Sequence, residues 1–341
     1  MPIQFPISKI FFGKITHCHS VLPYNINWRR SDWREFAPFF ANYPIHVVDI
    51  GARDGAPEEL KGLEPFLSYV AFDADAREAE RLSGAPHPYR SLKVMPVFIG
   101  SEKGKKSFFL YKNLGESSSL RPNPLYTQFY RDLSIDREVL VDSSSLDDLL
   151  AEGQIADVDF LKLDTQGTEF EILEHADRVL QSTLLVETEV EFVELYQGQK
   201  LAFDIERLMH DKGFELLYIN RVFLSRRSYE GKSRGQLIFG DMVFGVNEER
   251  AKALPFHKKA IYLALLLQYG HMDFAYALYA QSPELQSAFP KLRSSFQLKL
   301  TFGAQMSRLI FMQMDKVIAF LLHLRRTNGL RSDTDRNWPA R

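Results

Sequence analysis

The chain has 341 residues, 45% hydrophobic and 13% aromatic, enough apolar material for a sizeable core and too much for an intrinsically disordered protein. Its net charge of −2 hides an asymmetry. From Arg250 onward 14 Lys and Arg stand against 5 Asp and Glu, so the last 92 residues carry +9 and the first 249 carry −11. A single cysteine, Cys18, excludes an intramolecular disulfide framework and argues against a cysteine-based zinc site.

In chain order, residues 1–43 read as an aromatic, proline-containing lead-in, with the amphipathic stretch "NWRRSDWREFAPFFANYP" stopping at Pro44. The opening residues lack the continuous apolar run of a signal peptide. From His46 short β-branched runs alternate with helical segments: "HVVDI", a Glu/Leu segment, "YVAFD", "AREAERL" and "LKVMPVFIG". "VDFLKLD" then leads into "TEFEILEHADRVL", and "TLLVETE" into "FDIERLMHDKGF". This alternation predicts βαβ units, hence a parallel sheet covered on both faces and an α/β fold class. "FELLYI" and "DMVFGV", joined by a long polar excursion rather than a helix, are expected to be antiparallel to each other. The domain then runs over 44–247. A basic helical extension follows over 248–326, and a polar tail over 327–341 is expected to be disordered. The longest apolar stretch, near "AIYLALLLQYG", falls short of the ~20 residues that span a bilayer, so a cytoplasmic protein is expected.

Ligands of such sheets sit beyond the carboxyl ends of the strands. After the first strand stand Asp49, Gly51 and Gly55, with Ala52 and Arg53 where a pyrophosphate-binding loop needs a second glycine, so a dinucleotide is disfavoured. The second strand ends at Asp73, an acid placed to accept from both hydroxyls of a ribose; capping of the following helix would also account for it. The fourth strand brings Lys162, which needs a partner if buried, then Asp164, Gly167 and Glu169. Glu169 suits the first turn of a helix on dipole grounds alone. Glu187, Glu189 and Glu191 alternate along the fifth strand, on one face, as expected of a hydroxyl site, a base or a metal site. No His joins them at ligand spacing, so no metal is assigned.

"VVDIGARDG", "AFDAD", "PVFIGSEKGKKSFFLYKNLGESSSL", "SSSLDDLL", "DFLKLDTQGTEFEIL" and "LLVETEVEFVELYQGQ" occur in the order and at about the spacing of one family. Over 46–246 the chain resembles the FkbM family of S-adenosylmethionine-dependent methyltransferases. The resemblance implies a class I methyltransferase fold, a Rossmann-like seven-stranded sheet whose last strand is antiparallel, and S-adenosylmethionine as cofactor. It also implies O-methylation of a hydroxyl on a sugar, glycan, glycolipid or natural product. By the same resemblance Asp49, Gly51 and Gly55 lie along the methionine part of the donor and Asp73 holds the ribose. Asp164 and Glu187 are expected near the acceptor, one of them as the base, with Lys162 and Glu169 supporting the loop and Glu189 among the substrate-binding acids. Ser117, Ser118 and Ser119 of "GESSSL" are candidates to line the acceptor pocket. This chain departs from the family's pattern in "FDADA", where Glu-Pro is usual, and in "DTQG", where Gln166 replaces a frequent carboxylate.

Outside that resemblance, the extension's apolar residues at helical spacing are expected to pack on the domain or on a second copy, and its Lys and Arg allow a peripheral contact with the inner face of a membrane or a glycan-assembly partner. No nucleic-acid motif accompanies them. The alternative function is a catalytically inactive binding or scaffolding protein that uses these helices.

Overall fold

The computed structural model describes residues 35–296 apart from 54, 126–128, 130–133, 232 and 234, together with the backbone of 332–334. Most of the lead-in, residues 1–34, and residues 297–331 and 335–341 lie outside the described residues.

Helix α1 (Ala37–Asn42) ends before Pro44, and strands β1 (Ile45–Ile50) and β2 (Leu67–Phe72) follow. The Glu/Leu segment between them makes only single helical turns at 58–60 and 64–66. Pro57 and Pro65 bracket it and Gly62, at φ +105°, breaks it. Helix α2 (Ala76–Gly84) leads to β3 (Ser91–Met95). The run "LKVMPVFIG" divides at Pro96, which has no N–H for a ladder. Beyond it β4 (Phe98–Ile99) joins β6 (Ile135–Ser144) and β5 (Gly104–Tyr111) in a separate three-stranded sheet of order β4-β6-β5, which the sequence did not announce. Helix α3 (Leu146–Ala151), β7 (Phe160–Leu163), α4 (Glu169–Glu174), α5 (Asp177–Ser182), β8 (Leu185–Glu191), α6 (Ala202–Asp211) and β9 (Phe214–Ile219) complete the alternation.

After β10 (Val222–Leu224), β11 (Gln236–Val246) returns antiparallel to β8 and to β9. The central order is β9-β11-β8-β7-β1-β2-β3, seven strands with only β11 reversed. The α/β class and the antiparallel last strand are as expected. Beyond the expected seven, β10 pairs with the other end of β11, and β12 (Ser332–Thr334), three residues of the tail expected to be disordered, pairs with β10.

The basic extension begins with α7 (Glu248–Ala253) and α8 (Phe256–Gln268), followed by α9 (Met272–Ala280), α10 (Pro283–Ala288) and α11 (Leu292–Phe296). Ala260 to Gln268 are all buried, the mark of a helix enclosed on every side. One hydrophobic cluster runs from Phe36 through the strands to Ala260–Leu267, Leu285 and Leu292. Three cations at the start of the extension are used internally: Lys258 Nζ lies 2.6 Å from the buried Asp159 and Lys259 Nζ 2.9 Å from Glu284. The Arg250 guanidinium donates to the carbonyls of Leu180, Gln181, Thr183 and Lys212. No helix of the described residues is long and apolar enough to cross a membrane.

Candidate active site

β1, β2, β7 and β8 are parallel, so their carboxyl ends share one edge. At that edge β1 turns at Gly51, φ +81°, where an added Cβ would stand 1.9 Å from the Asp164 carbonyl oxygen. Only glycine lets the chain leave β1 past β7. The Gly51 and Ala52 amides donate to the Phe72 carbonyl at 2.9 and 3.2 Å, and the Asp164 amide to the Ile50 carbonyl at 2.9 Å, so the turn is tied to both neighbouring strand ends. Gly55, at φ +84°, closes it beside Tyr89, whose hydroxyl accepts from the Ala56 amide at 3.0 Å.

Asp73 stands one residue beyond β2 and is partly buried. The cap of α2 is Asp75, whose carboxylate accepts from the Arg77 amide at 3.1 Å. Among the described residues Asp73 accepts from the Asp75 amide, through Oδ1 at 2.8 Å. Burial pushes its carboxyl up to about 6, against a smaller lowering by that amide and by Arg53. A carboxylate in that state gains from further donors.

Asp49, Lys162 and Glu187 occupy one row across β1, β7 and β8. Asp49 is fully buried; it accepts from the Tyr69 hydroxyl, and Lys162 Nζ is 3.7 Å from its Oδ1 and 3.8 Å from Asp164 Oδ2. Burial pulls the ammonium down, but Asp49, Asp164, Glu187 and Asp241 outweigh it and hold Lys162 above its ordinary value. Burial likewise raises Asp49, with Lys162 opposing. Glu187, 1% exposed, accepts through Oε2 from the Tyr269 hydroxyl. All three are buried, Lys162 with 10% of its side chain exposed, whereas Asp164, one residue beyond β7 at the strand-end edge, has 19% of its side chain exposed.

The turn 164–169 is organised by Gln166, at φ +59° the described non-glycine residue with positive φ. Its Nε2 donates to Asp164 Oδ1 at 2.9 Å and Glu189 Oε2 at 2.8 Å, its Oε1 accepts from the Tyr196 hydroxyl at 2.8 Å, and its carbonyl accepts from Ser118 Oγ at 2.7 Å. One residue thus joins β7, β8 and the "LYQGQ" segment through its side chain, and the serine loop of the second sheet through its carbonyl. Glu169 is buried and accepts from the Thr165 amide, the Thr165 hydroxyl and the Gly167 amide at 2.7, 2.9 and 3.0 Å, holding the turn closed. Burial pushes Glu189 well above the carboxylate range, helped by Asp164, Glu191, Asp241 and Glu169; burial, then Glu169 and Asp164, does the same to Glu191. In the serine loop, Ser117 Oγ accepts from the Tyr111 amide and Ser118 is committed to Gln166, whereas the buried Ser119 Oγ has no hydrogen-bond partner among the described residues. Among the described residues no cluster of three or more His, Cys, Asp and Glu is arranged to hold a metal ion.

Gln166 was noted from the sequence only as a missing carboxylate, and Tyr196, Tyr69 and Tyr269 were not singled out. Only the "LYQGQ" block and the glycine after Gln166 signalled the first two, and nothing local marks the tyrosines that reach buried acids from elsewhere in the chain.

Residues 49–216 match the family model described as the methyltransferase FkbM domain. A curated relative, the 2-O-methyltransferase NoeI of Sinorhizobium fredii (strain NBRC 101917 / NGR234), is 26% identical over 160 residues, 45% of this chain and 66% of that protein. Among solved structures, the methyltransferase FkbM of Methylobacillus flagellatus KT aligns at 14% identity and TM-score 0.31 over 58% of this chain and 43% of that one. The magnesium protoporphyrin IX methyltransferase ChlM of Synechocystis PCC 6803, with bound SAM, aligns at 10% identity and TM-score 0.28 over 64% and 79%. The chain spans less than two thirds of the length of the NoeI and FkbM relatives. Through its matched domain and the strand-end blocks that carry it, the chain belongs to the FkbM family of S-adenosylmethionine-dependent methyltransferases.

Proposed function

We propose that the protein methylates a hydroxyl of a carbohydrate acceptor, with Asp164 as the base. The observation that carries this reading is the placement of Asp164 at the open edge, beside the Gly51 turn and oriented by Gln166 and Lys162. The residues fit the donor. Asp73, relieved of helix capping by Asp75, offers a carboxylate to the ribose hydroxyls, and the Gly51–Gly55 turn brings backbone close to the methionine part. Asp49 supports that turn from beneath through Tyr69 and Lys162. S-adenosylmethionine, when bound, supplies an electrophilic methyl group.

The protein's own task is alignment and proton removal. Asp164 accepts the hydroxyl proton as the oxygen loses electron density; Lys162 beneath it stabilises the ionised carboxylate beforehand. Burial favours the neutral form of Glu189 and Glu191, and in that form each offers an O–H donor to a neighbouring acceptor hydroxyl; Ser119 of the serine loop is a further hydroxyl donor. Lys162 and Glu187 act on Asp164 from below. A carbohydrate suits this polar, hydroxyl-matching wall, and the name of the curated relative, a 2-O-methyltransferase, supports an oxygen as the methyl acceptor. Residues 260–268 of α8 lie in the core and offer no surface to the scaffolding alternative.

The test is methyl transfer from labelled donor into fractionated glycans and glycolipids by wild type and Asp164→Asn. Label in a carbohydrate fraction that falls by roughly 10²- to 10⁴-fold in the variant, with donor binding kept, supports the reading. Label confined to protein, or undiminished in the variant, refutes it.

A further inference from the structure

The matched domain ends at residue 216, yet α8, forty residues further on, delivers two side chains to the site. The helix ends at Tyr269 and Gly270, φ +80°, with the Tyr269 amide donating to the Leu265 carbonyl and the His271 amide to that of Leu266. This stop fixes where Gln268 and Tyr269 point. Gln268 Nε2 donates to the carbonyls of Glu59 and, at 3.0 Å, Lys61, in the segment that follows the glycine turn. The Tyr269 ring packs on Phe160 of β7 with centroids 5.7 Å apart, and its hydroxyl donates to Glu187 Oε2.

Glu187 sits opposite Lys162 in the β7–β8 register, while Lys162 Nζ lies nearly midway between Asp49 and Asp164. One ammonium is therefore shared among three acids. We propose that Tyr269 is a positioning residue: by satisfying Glu187 it keeps the Lys162 ammonium between Asp49 and Asp164, and so sets how readily Asp164 takes up a proton. Without the phenol, Glu187 draws Lys162 toward β8, and Asp164 loses part of its stabilising charge. The other charged groups facing Asp164 are Asp49 on β1, Glu189 and Glu191 on β8, Glu169 on α4 and, through Lys162, Asp241 on β11. All are acids, and Lys162 opposes them. Tyr269 itself faces Glu187, Glu59 and Asp49, and its burial beside them keeps the phenol neutral and donating.

The inference rests on Asp164 as the base, and its test separates the two. In the full chain, the Asp164 carboxyl is followed by ¹³C NMR, assigned through its loss in Asp164→Asn, across pH in wild type, Tyr269→Phe, Glu187→Gln and the double variant. Tyr269→Phe keeps the ring contact with Phe160. Its Asp164 midpoint should rise by about 0.5 unit or more, a ~3-fold change in the protonation equilibrium. Glu187→Gln should lower it, and adding Tyr269→Phe to Glu187→Gln should change nothing further. The acid limb of the methyl-transfer rate should shift with the midpoint. An unmoved midpoint in folded Tyr269→Phe, or additive shifts in the double variant, overturns the role of Tyr269. A midpoint that moves while the rate profile stays put overturns Asp164 as the base instead.

Discussion

Asp73→Asn should move stability and donor binding in opposite directions. Burial lifts the Asp73 carboxyl from 3.8 to about 6 in the folded chain. Two pKa units correspond to about 3 kcal/mol, which partial exposure reduces to ~1–2 kcal/mol. The sign follows from the direction of the shift. A raised acid costs folding stability when ionised, so the cost develops as pH rises from about 4 and is complete above about 6. At pH 7 Asp73→Asn removes the cost, and the ligand-free variant should melt a few degrees higher than wild type. Ribose hydroxyls donating to a charged acceptor contribute ~1.5–3 kcal/mol each, and the amide presents an N–H₂ to one of them. The variant should therefore bind S-adenosylhomocysteine ~10²-fold more weakly by calorimetry. For wild type, affinity should fall by up to ~10-fold per unit below pH 6, and the variant's affinity should be flat there. A variant that binds as tightly as wild type, or a wild-type affinity unchanged from pH 7 to 5, refutes the assignment of Asp73 to the ribose.

Gly51→Ala combines a left-handed backbone with a Cβ 1.9 Å from the Asp164 carbonyl oxygen; a loss of about 3 kcal/mol or more should appear in denaturant unfolding, and wild-type stability would contradict the packing at the turn. Lys162→Met leaves Asp49 buried without its cation and should cost about 3–5 kcal/mol at pH 7, less as pH falls and Asp49 protonates; adding Asp49→Asn should restore part of the loss, read by thermal melts. Gln166→Ala keeps the strained φ and the carbonyl that Ser118 uses but removes the links to Asp164, Glu189 and Tyr196, so amide exchange in 194–199 should quicken while that in β1 and β2 does not.

The alternation of "HVVDI", "YVAFD", "DFLKLD" and "TLLVETE" with helical segments located the parallel strands, because strands buried on both faces read as apolar runs whatever packs on them. The acids at their ends were equally plain. Long-range closure was not. Pro96 splits one apolar run between two sheets, and a ladder to β6, some forty residues on, leaves no local trace. The single expected helix over "TEFEILEHADRVL" breaks into α4 and α5 at His175–Ala176. Which acids face the cleft was also hidden: Glu187 and Glu189 share a face by period, but only the row with Lys162 and the reach of Tyr269 bury the former. Gln166, noted in sequence as a missing carboxylate, turns out to hold two carboxylates, a phenol and a serine in place; its role depends on a positive φ that its residue type does not advertise.

The most direct measurement is a crystal structure of the full chain with S-adenosylhomocysteine. The account places both ribose hydroxyls within ~3 Å of the Asp73 carboxylate, the amino-acid end along the Gly51–Gly55 turn, and the sulfur open toward Asp164. A nucleoside bound away from Asp73, or a sulfur shielded from Asp164, would contradict it.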